Sequence, residues 1–148
     1  MKIIYKGYFY SDEKKALEIA KEEYLKHFNI PRNFLFFLHS VSKEKSEKLN
    51  IHYFKKYSPA DVLTIPLYRN INDICKLSEE NNEVLGDLFI NRLLIKNNAL
   101  QYEKTMSEEL QLVLIHGLLH LVGYSHENED KLNMTENKIL NKVWKNGK

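Results

Sequence analysis

His116, His120 and His126, within "HGLLHLVGYSH", are three of the six histidines of a 148-residue chain and lie in its most apolar stretch. On a helix, residues four apart sit about 40° from each other around the axis and roughly 6 Å along it, so His116 and His120 share one face. Gly123 is of the type that ends helices in a left-handed turn, after which His126 can swing back toward the same point. Burying two imidazoles without partners costs on the order of 1–3 kcal/mol each, and a shared cation removes that cost. Three neutral imidazoles with an open fourth position are the donor set of a catalytic zinc site, where a bound water becomes acidic. One Zn2+ per chain is the expected cofactor.

The spacing is also that of the metzincin peptidases, H-E-x-x-H-x-x-G-x-x-H, with Gly123 at the turn glycine. Gly117 stands where that motif has its glutamate, so the general base of a metallopeptidase is missing. Peptide hydrolysis is therefore the disfavoured alternative.

The element that must position the first two histidines is well marked. Thr105 and Glu108 have capping-box spacing, and every residue from Leu112 to Val122 except the two histidines and Gly117 is Leu, Val or Ile. A helix from Thr105 to Val122, apolar all round, belongs in the core. Upstream, "MKIIYKGYF", "NFLFFLHSVS", "DVLTIPLY" and "EVLGDLFINR" read as strands, with Pro66 putting an edge or an end on the third. Ser11 is expected to cap a helix whose stripe is Ala16, Ile19, Ala20, Tyr24 and Phe28. "SKEKSEKLNIHYF" reads as a second helix, in which the mixed charges of Ser42 to Lys48 form a solvated face. A helix is expected from near Asn91 to Leu100, and a last one from Asp130 to Val143 packs Leu132, Met134, Ile139, Leu140 and Val143. The predicted class is α+β, a mixed sheet of about four strands packed by helices, with the metal site on a buried helix in the C-terminal half.

Composition sets bounds around this reading. Hydrophobic residues are 43% and charged residues 28%, an ordinary globular balance. No repeat or linker divides the chain, so one domain over 1–148 is expected. The net charge of +2 neither demands nor excludes an RNA partner. A lone cysteine, Cys75, rules out an internal disulfide and fits a reducing compartment. The first residues break into charge before any apolar run long enough for a signal peptide or a span, which makes the cytoplasm the default location and a membrane no partner.

Three segments together carry a resemblance. "HGLLHLVGYSH" resembles the H-G-x-L-H-L-x-G-Y-D-H signature of the YbeY family, bacterial endoribonucleases implicated in rRNA maturation. "LNIHYFKKYSPADVLTIPL" resembles that family's L-N-x-x-Y-R … P-T-D-V-L-S-F-P segment through Asp61, Val62, Leu63 and Pro66, and "LGDLFI" its L-G-D-I-x-I strand through Leu85, Gly86 and Asp87. The resemblance implies an α+β fold with zinc held by His116, His120 and His126. It also implies a metal-dependent, single-strand-specific endoribonuclease that acts in rRNA maturation and ribosome quality control, with RNA and ribosomal proteins as partners and DNA not among them. Ser125 stands where the family has Asp, Thr64 and Ile65 replace Ser and Phe, and Phe54 occupies the position of an arginine regarded there as important for cleavage. Lys55 and Lys56 follow Phe54 and bring charge without a guanidinium fork.

The remaining candidates are read from the residues. Lys55 and Asp87 are catalytic candidates, Asp87 either as an acceptor near the metal or as the hydrogen-bond partner of a neighbouring segment. Lys55, Lys56 and Arg69, with Arg92, are the candidate RNA contacts, and Tyr53, Phe54, Tyr57 and Tyr68 the candidate stacking surfaces. His27, His39 and His52 lack partners at ligand spacing and are read as surface or packing residues. A zinc-stabilised ribosome- or RNA-binding module with little activity is the alternative from a different class.

Overall fold

The computed structural model describes residues 1–146. Four strands, β1 (Lys2–Lys6), β2 (Leu35–Val41), β3 (Val62–Pro66) and β4 (Val84–Asn91), form one sheet in the order β1-β2-β4-β3. The first three in that order are parallel, and β3 runs antiparallel along β4 at the edge. Pro66 ends this edge strand, where its missing N–H costs no ladder bond. The helices are α1 (Ser11–His27), α2 (Lys43–Phe54), α3 (Ile71–Cys75), α4 (Arg92–Gln101), α5 (Met106–Leu121) and α6 (Glu129–Asn146), with a 3-10 turn at His126–Asn128. The class is α+β, as expected; α3, at five residues, is too short to leave a periodic signal. No described helix is long and apolar enough to cross a membrane.

Alternation along the strands makes the sheet two-sided. Phe36 and Leu38 of β2 and Leu88 and Ile90 of β4 are buried, whereas Phe37, His39, Asp87 and Phe89 between them are half-buried on the opposite face. The buried face receives α5, which also packs on α1, α4 and α6. Each fully buried leucine of this helix stabilises the fold by roughly 1.5–3 kcal/mol, and Leu110, Leu114, Leu118, Leu119 and Leu121 are all buried. Polar bonds fix its register: Tyr24 Oη donates to Leu118 O at 2.9 Å, Gln111 Nε2 to Ala16 O at 2.9 Å, and Thr64 Oγ1 to Gly117 O at 3.0 Å.

Three local expectations need correction. Tyr10, not Ser11, is the N-cap of α1, and its N–H donates to Glu13 Oε1 at 2.9 Å. Ile19 is 41% exposed, because at about 100° per residue the buried stripe runs through Ala16, Leu17, Ala20 and Tyr24, away from position 19. Met134 is 73% exposed for the same geometric reason: it lies opposite the face that Leu132, Ile139, Leu140 and Val143 bury.

Candidate metal centre

The capping box at the start of α5 is present in both directions, Glu108 N–H to Thr105 Oγ1 at 3.1 Å and Thr105 N–H to Glu108 Oε1 at 3.0 Å. It fixes where the helix begins, and the helix then delivers His116 and His120 to one side near its C-terminus. Gly123 ends the run with φ +101°, a left-handed conformation, and a Cβ there would lie 2.8 Å from Arg69 O. The chain turns over that glycine into the 3-10 turn that carries His126.

The three imidazoles converge. Their ligand nitrogens lie within 4.8 Å of one another, and His116 Nε2 is 3.1 Å from His120 Nε2. Every Nδ1 faces an oxygen: that of His116 Glu136 Oε1 at 2.9 Å, that of His120 the Tyr124 carbonyl at 2.8 Å, and that of His126 Glu129 Oε1 at 3.0 Å. A carbonyl or ionised carboxylate only accepts, so each ring carries its proton on Nδ1 and leaves a lone pair on Nε2. Two facing lone pairs at 3.1 Å repel unless a cation or proton lies between them. The donor set thus fits a borderline-soft divalent ion such as zinc, with the outer hydrogen bonds that orient metal-binding histidines already in place.

Electrostatics differ around the cluster. The Glu136 hydrogen bond raises the His116 pKa above its ordinary value, against the opposing effect of burial, whereas burial lowers that of His120. His120 is therefore more readily held neutral than His116.

The histidines open onto a cavity of about 570 Å³. Its wall combines His116, His120, Ser125 and His126 with Asp61 to Thr64, at the start of β3, and with Asn50, Phe54 and Lys56 around the end of α2. Phe54 is 41% exposed, and Asp61 is the one acid among the described wall residues. Position 117 points the other way. A Cβ on Gly117 would lie 2.7 Å from Leu88 Cδ2 and 3.1 Å from Val62 Cγ2, so the helix meets the sheet where a metzincin glutamate would have to fit.

The other expected site residues separate. Lys56 lines the cavity; Lys55, the left-handed C-cap of α2 at φ 56°, does not. Arg69 is exposed, with its carbonyl against the Gly123 turn, and is not in the wall. Arg92 is no free RNA contact, since both its terminal nitrogens donate to the buried Glu13 carboxylate, at 2.9 and 2.6 Å. Asp87 is on the far face of the sheet, 2.7 Å from His39 Nε2, which makes it the partner of a neighbouring strand and gives His39 the partner that spacing did not suggest. Tyr53 and Tyr57 are exposed, and Tyr68 Oη donates to Glu83 Oε2 at 2.9 Å. Asp61, Glu129 and Glu136 were not among the expected site residues; only the position of Asp61 inside the motif "PADVLTIP" could have pointed to one of them.

Known proteins similar to this chain share one family description. The family described as Endoribonuclease YbeY matches residues 9–143. A protein named Endoribonuclease YbeY from Thermotoga neapolitana is 36% identical over 118 residues, 80% of this chain and 66% of that one. Its namesake from Thermotoga maritima is 33% identical over 70% of this chain and 64% of its own length, so the chain spans slightly less than two thirds of these relatives. A third, from Mycoplasmoides gallisepticum, is 30% identical over 93% of this chain and 82% of its own. The solution structure of a Thermotoga maritima target protein superposes with a TM-score of 0.59 at 28% identity, covering 98% of this chain and 91% of that one.

Proposed function

Because the chain belongs to the Endoribonuclease YbeY family, we propose that it is a metal-dependent endoribonuclease that binds one zinc ion through His116, His120 and His126 and cleaves single-stranded RNA in rRNA maturation and ribosome quality control. The observation that carries this reading is the set of three Nδ1 anchors, which turns three Nε2 lone pairs toward one point at the edge of an open cavity. When bound, the ion supplies a Lewis acid that acidifies water and offsets charge on the scissile phosphate.

The chain's own residues supply the rest. Asp61, in the cavity wall with the histidines and with Oδ1 accepting from Val62 N–H at 2.8 Å, accepts the proton of the attacking water through its other oxygen, a role that position 117 has no room to fill. Lys56 neutralises charge growing on the phosphate oxygens, as a point charge without a guanidinium's two parallel donors. Phe54, in the cavity wall, offers a ring face to an unstacked base, and Tyr53 and Tyr57, outside the wall, are further exposed rings for stacking. The cleft thereby favours single strands over duplexes. A cytoplasmic location with ribosomal proteins as partners completes the proposal.

Zinc-loaded protein incubated with labelled single-stranded rRNA fragments and, in parallel, with casein tests the class of reaction. Cut RNA beside intact casein is the expected result. Cut casein would restore the peptidase reading, and intact RNA would favour a metal-stabilised binding module.

A further inference from the structure

The alternation that buries one face of the sheet under α5 leaves an aromatic and basic surface on the other. Strand register sets side chains in rows across it. One row runs Lys6, His39, Phe89 and Leu63, and Phe37 lies in the row beside it, next to Asp87. Leu63 also lines the metal cavity, so the first of these rows begins at the wall of that site.

Charge on this face is one-sided. Asp87 is the only acid in the four strands, and it is already engaged by His39 at 2.7 Å. Lys2 and Lys6 are exposed at the two ends of β1, with Ile3 between them turned into the core, and neither pairs with an acid among the described residues. Lysines on an edge strand discourage pairing with another chain. Lys6 does something more specific, since its Nζ lies over the Phe37 ring, 5.6 Å from the centroid.

The rings differ in what they can offer. His39 and Phe89 stack on each other, with centroids 4.3 Å and planes 14° apart, so each spends a face on the other. Phe37 is 6.2 Å from His39 at a tilt of 39°, and one face of its half-buried ring meets the Lys6 ammonium. At an exposed site that contact is weak, and any nucleobase has a π face that can replace it. The displaced ammonium is then free to meet a phosphate.

We propose that this face is a second contact surface for single-stranded RNA held at the metal centre, with a base stacked on Phe37 and phosphates neutralised by Lys6 and Lys2. The proposal rests on the RNA-cleaving function above. Phe37 is on β2, two strands in from the edge strand β3, roughly 10 Å across the sheet, close enough for one RNA strand to occupy both places. The basic, acid-poor strands favour a polyanion over a second copy of this chain, whose matching face carries the same charge.

Fluorescence anisotropy of a labelled twelve-nucleotide single-stranded RNA, with a phosphorothioate backbone to slow cleavage, tests this on the zinc-loaded full chain across a range of salt. Phe37→Leu keeps an apolar side chain and removes the ring face, and should bind about tenfold more weakly, toward the lower end of what one base–aromatic stack is worth. Lys6→Gln, on an exposed side chain, should lower the slope of log affinity against log salt by about 0.7, the loss of one phosphate contact. Full affinity in Phe37→Leu, or an unaltered salt slope in Lys6→Gln, would overturn the proposal. So would a native chain that ignores the RNA but forms dimers that Phe37→Leu dissolves, which would make the face a contact between copies. A native chain that binds the RNA in this way yet leaves an unmodified strand uncut would instead refute the nuclease reading and leave the surface in place.

Discussion

The Nδ1 of His116 lies 2.9 Å from Glu136 Oε1, and this bond, like that from Trp144 Nε1 to Gln111 Oε1 at 3.2 Å, joins α5, which carries two of the three converging histidines, to α6, the last helix. The Glu136 carboxylate is mostly buried, so it is held in position by packing and not by solvent. It fixes the tautomer of His116 and makes its Nε2 a better donor.

Glu136→Gln should therefore weaken zinc binding about 10- to 100-fold while leaving the helical signal intact, since outer-shell partners of ligating histidines have effects of that size. Competition with a chromophoric chelator measures the affinity. Glu129 offers the comparison: exposed and paired to an exposed His126, its replacement by Gln should cost less. Equal losses would mean that burial of the anchor does not matter.

Gly117 marks the place where a peptidase glutamate is excluded by packing. Gly117→Ala should destabilise the protein by about 1–3 kcal/mol, because the new methyl overlaps Leu88 and one of the two must move. Gly117→Glu should prevent folding and should not create activity on casein. Denaturant melts of both variants check this, and an unaltered midpoint for Gly117→Ala would contradict the packing argument.

Around the cavity the expectations differ between adjacent residues. Lys56→Ala and Asp61→Asn should each slow cleavage of single-stranded RNA by on the order of a hundredfold at full metal occupancy, as expected when a group acting on the reacting phosphate or its nucleophile is lost. Lys55→Ala should cost much less, since Lys55 is outside the wall. Phe54→Arg should raise the rate by supplying the fork that Lys56 lacks. Single-turnover rates separate these outcomes, and a Lys55 effect as large as that of Lys56 would show that the phosphate lies elsewhere.

Much of this was legible in the sequence where local rules decide. The ends of α5 follow from Thr105, Glu108 and Gly123, and the four strands from their apolar runs, because caps and periodicity act within a few residues. The convergence of the histidines was readable for the same reason. What the sequence hid is long-range. Asp87 and His39 meet across parallel strands 48 residues apart, and Arg92 reaches Glu13 over 79, contacts that only the strand order brings about. Glu136 was equally hidden, since its spacing from His116 has meaning only once α6 is packed on α5. Ile19 and Met134 are apolar yet exposed, because angle around the helix, and not apolar type, decides which side chains reach the core.

Glu109 links the core to pH. It is 3% exposed, and its Oε2 has no hydrogen-bond partner among the described residues, the nearest cation being Lys104 Nζ at 3.6 Å. Burial raises its pKa above 4.5, with Asp61 adding to that and Lys104 opposing it. A raised carboxyl contributes stability that is present below the unfolded pKa and is lost as pH rises through the folded one. Glu109→Gln should therefore gain stability relative to the native protein as pH goes from about 4 to about 7, by on the order of 1 kcal/mol. Thermal melts across that range test the sign, and a gain confined to the acid end would refute it.

The central claim is that three histidines anchored through Nδ1 form a metal centre that cleaves RNA. The most direct measurement follows cleavage of one labelled single-stranded RNA by chelator-stripped protein, by the same sample after one equivalent of zinc is restored, and by His120→Ala treated identically, with bound metal quantified in each. The account requires activity that vanishes on stripping, returns with about one bound zinc per chain, and stays absent in His120→Ala, which should neither retain the ion nor cut. Cleavage by the stripped protein or by His120→Ala at the native rate would contradict it.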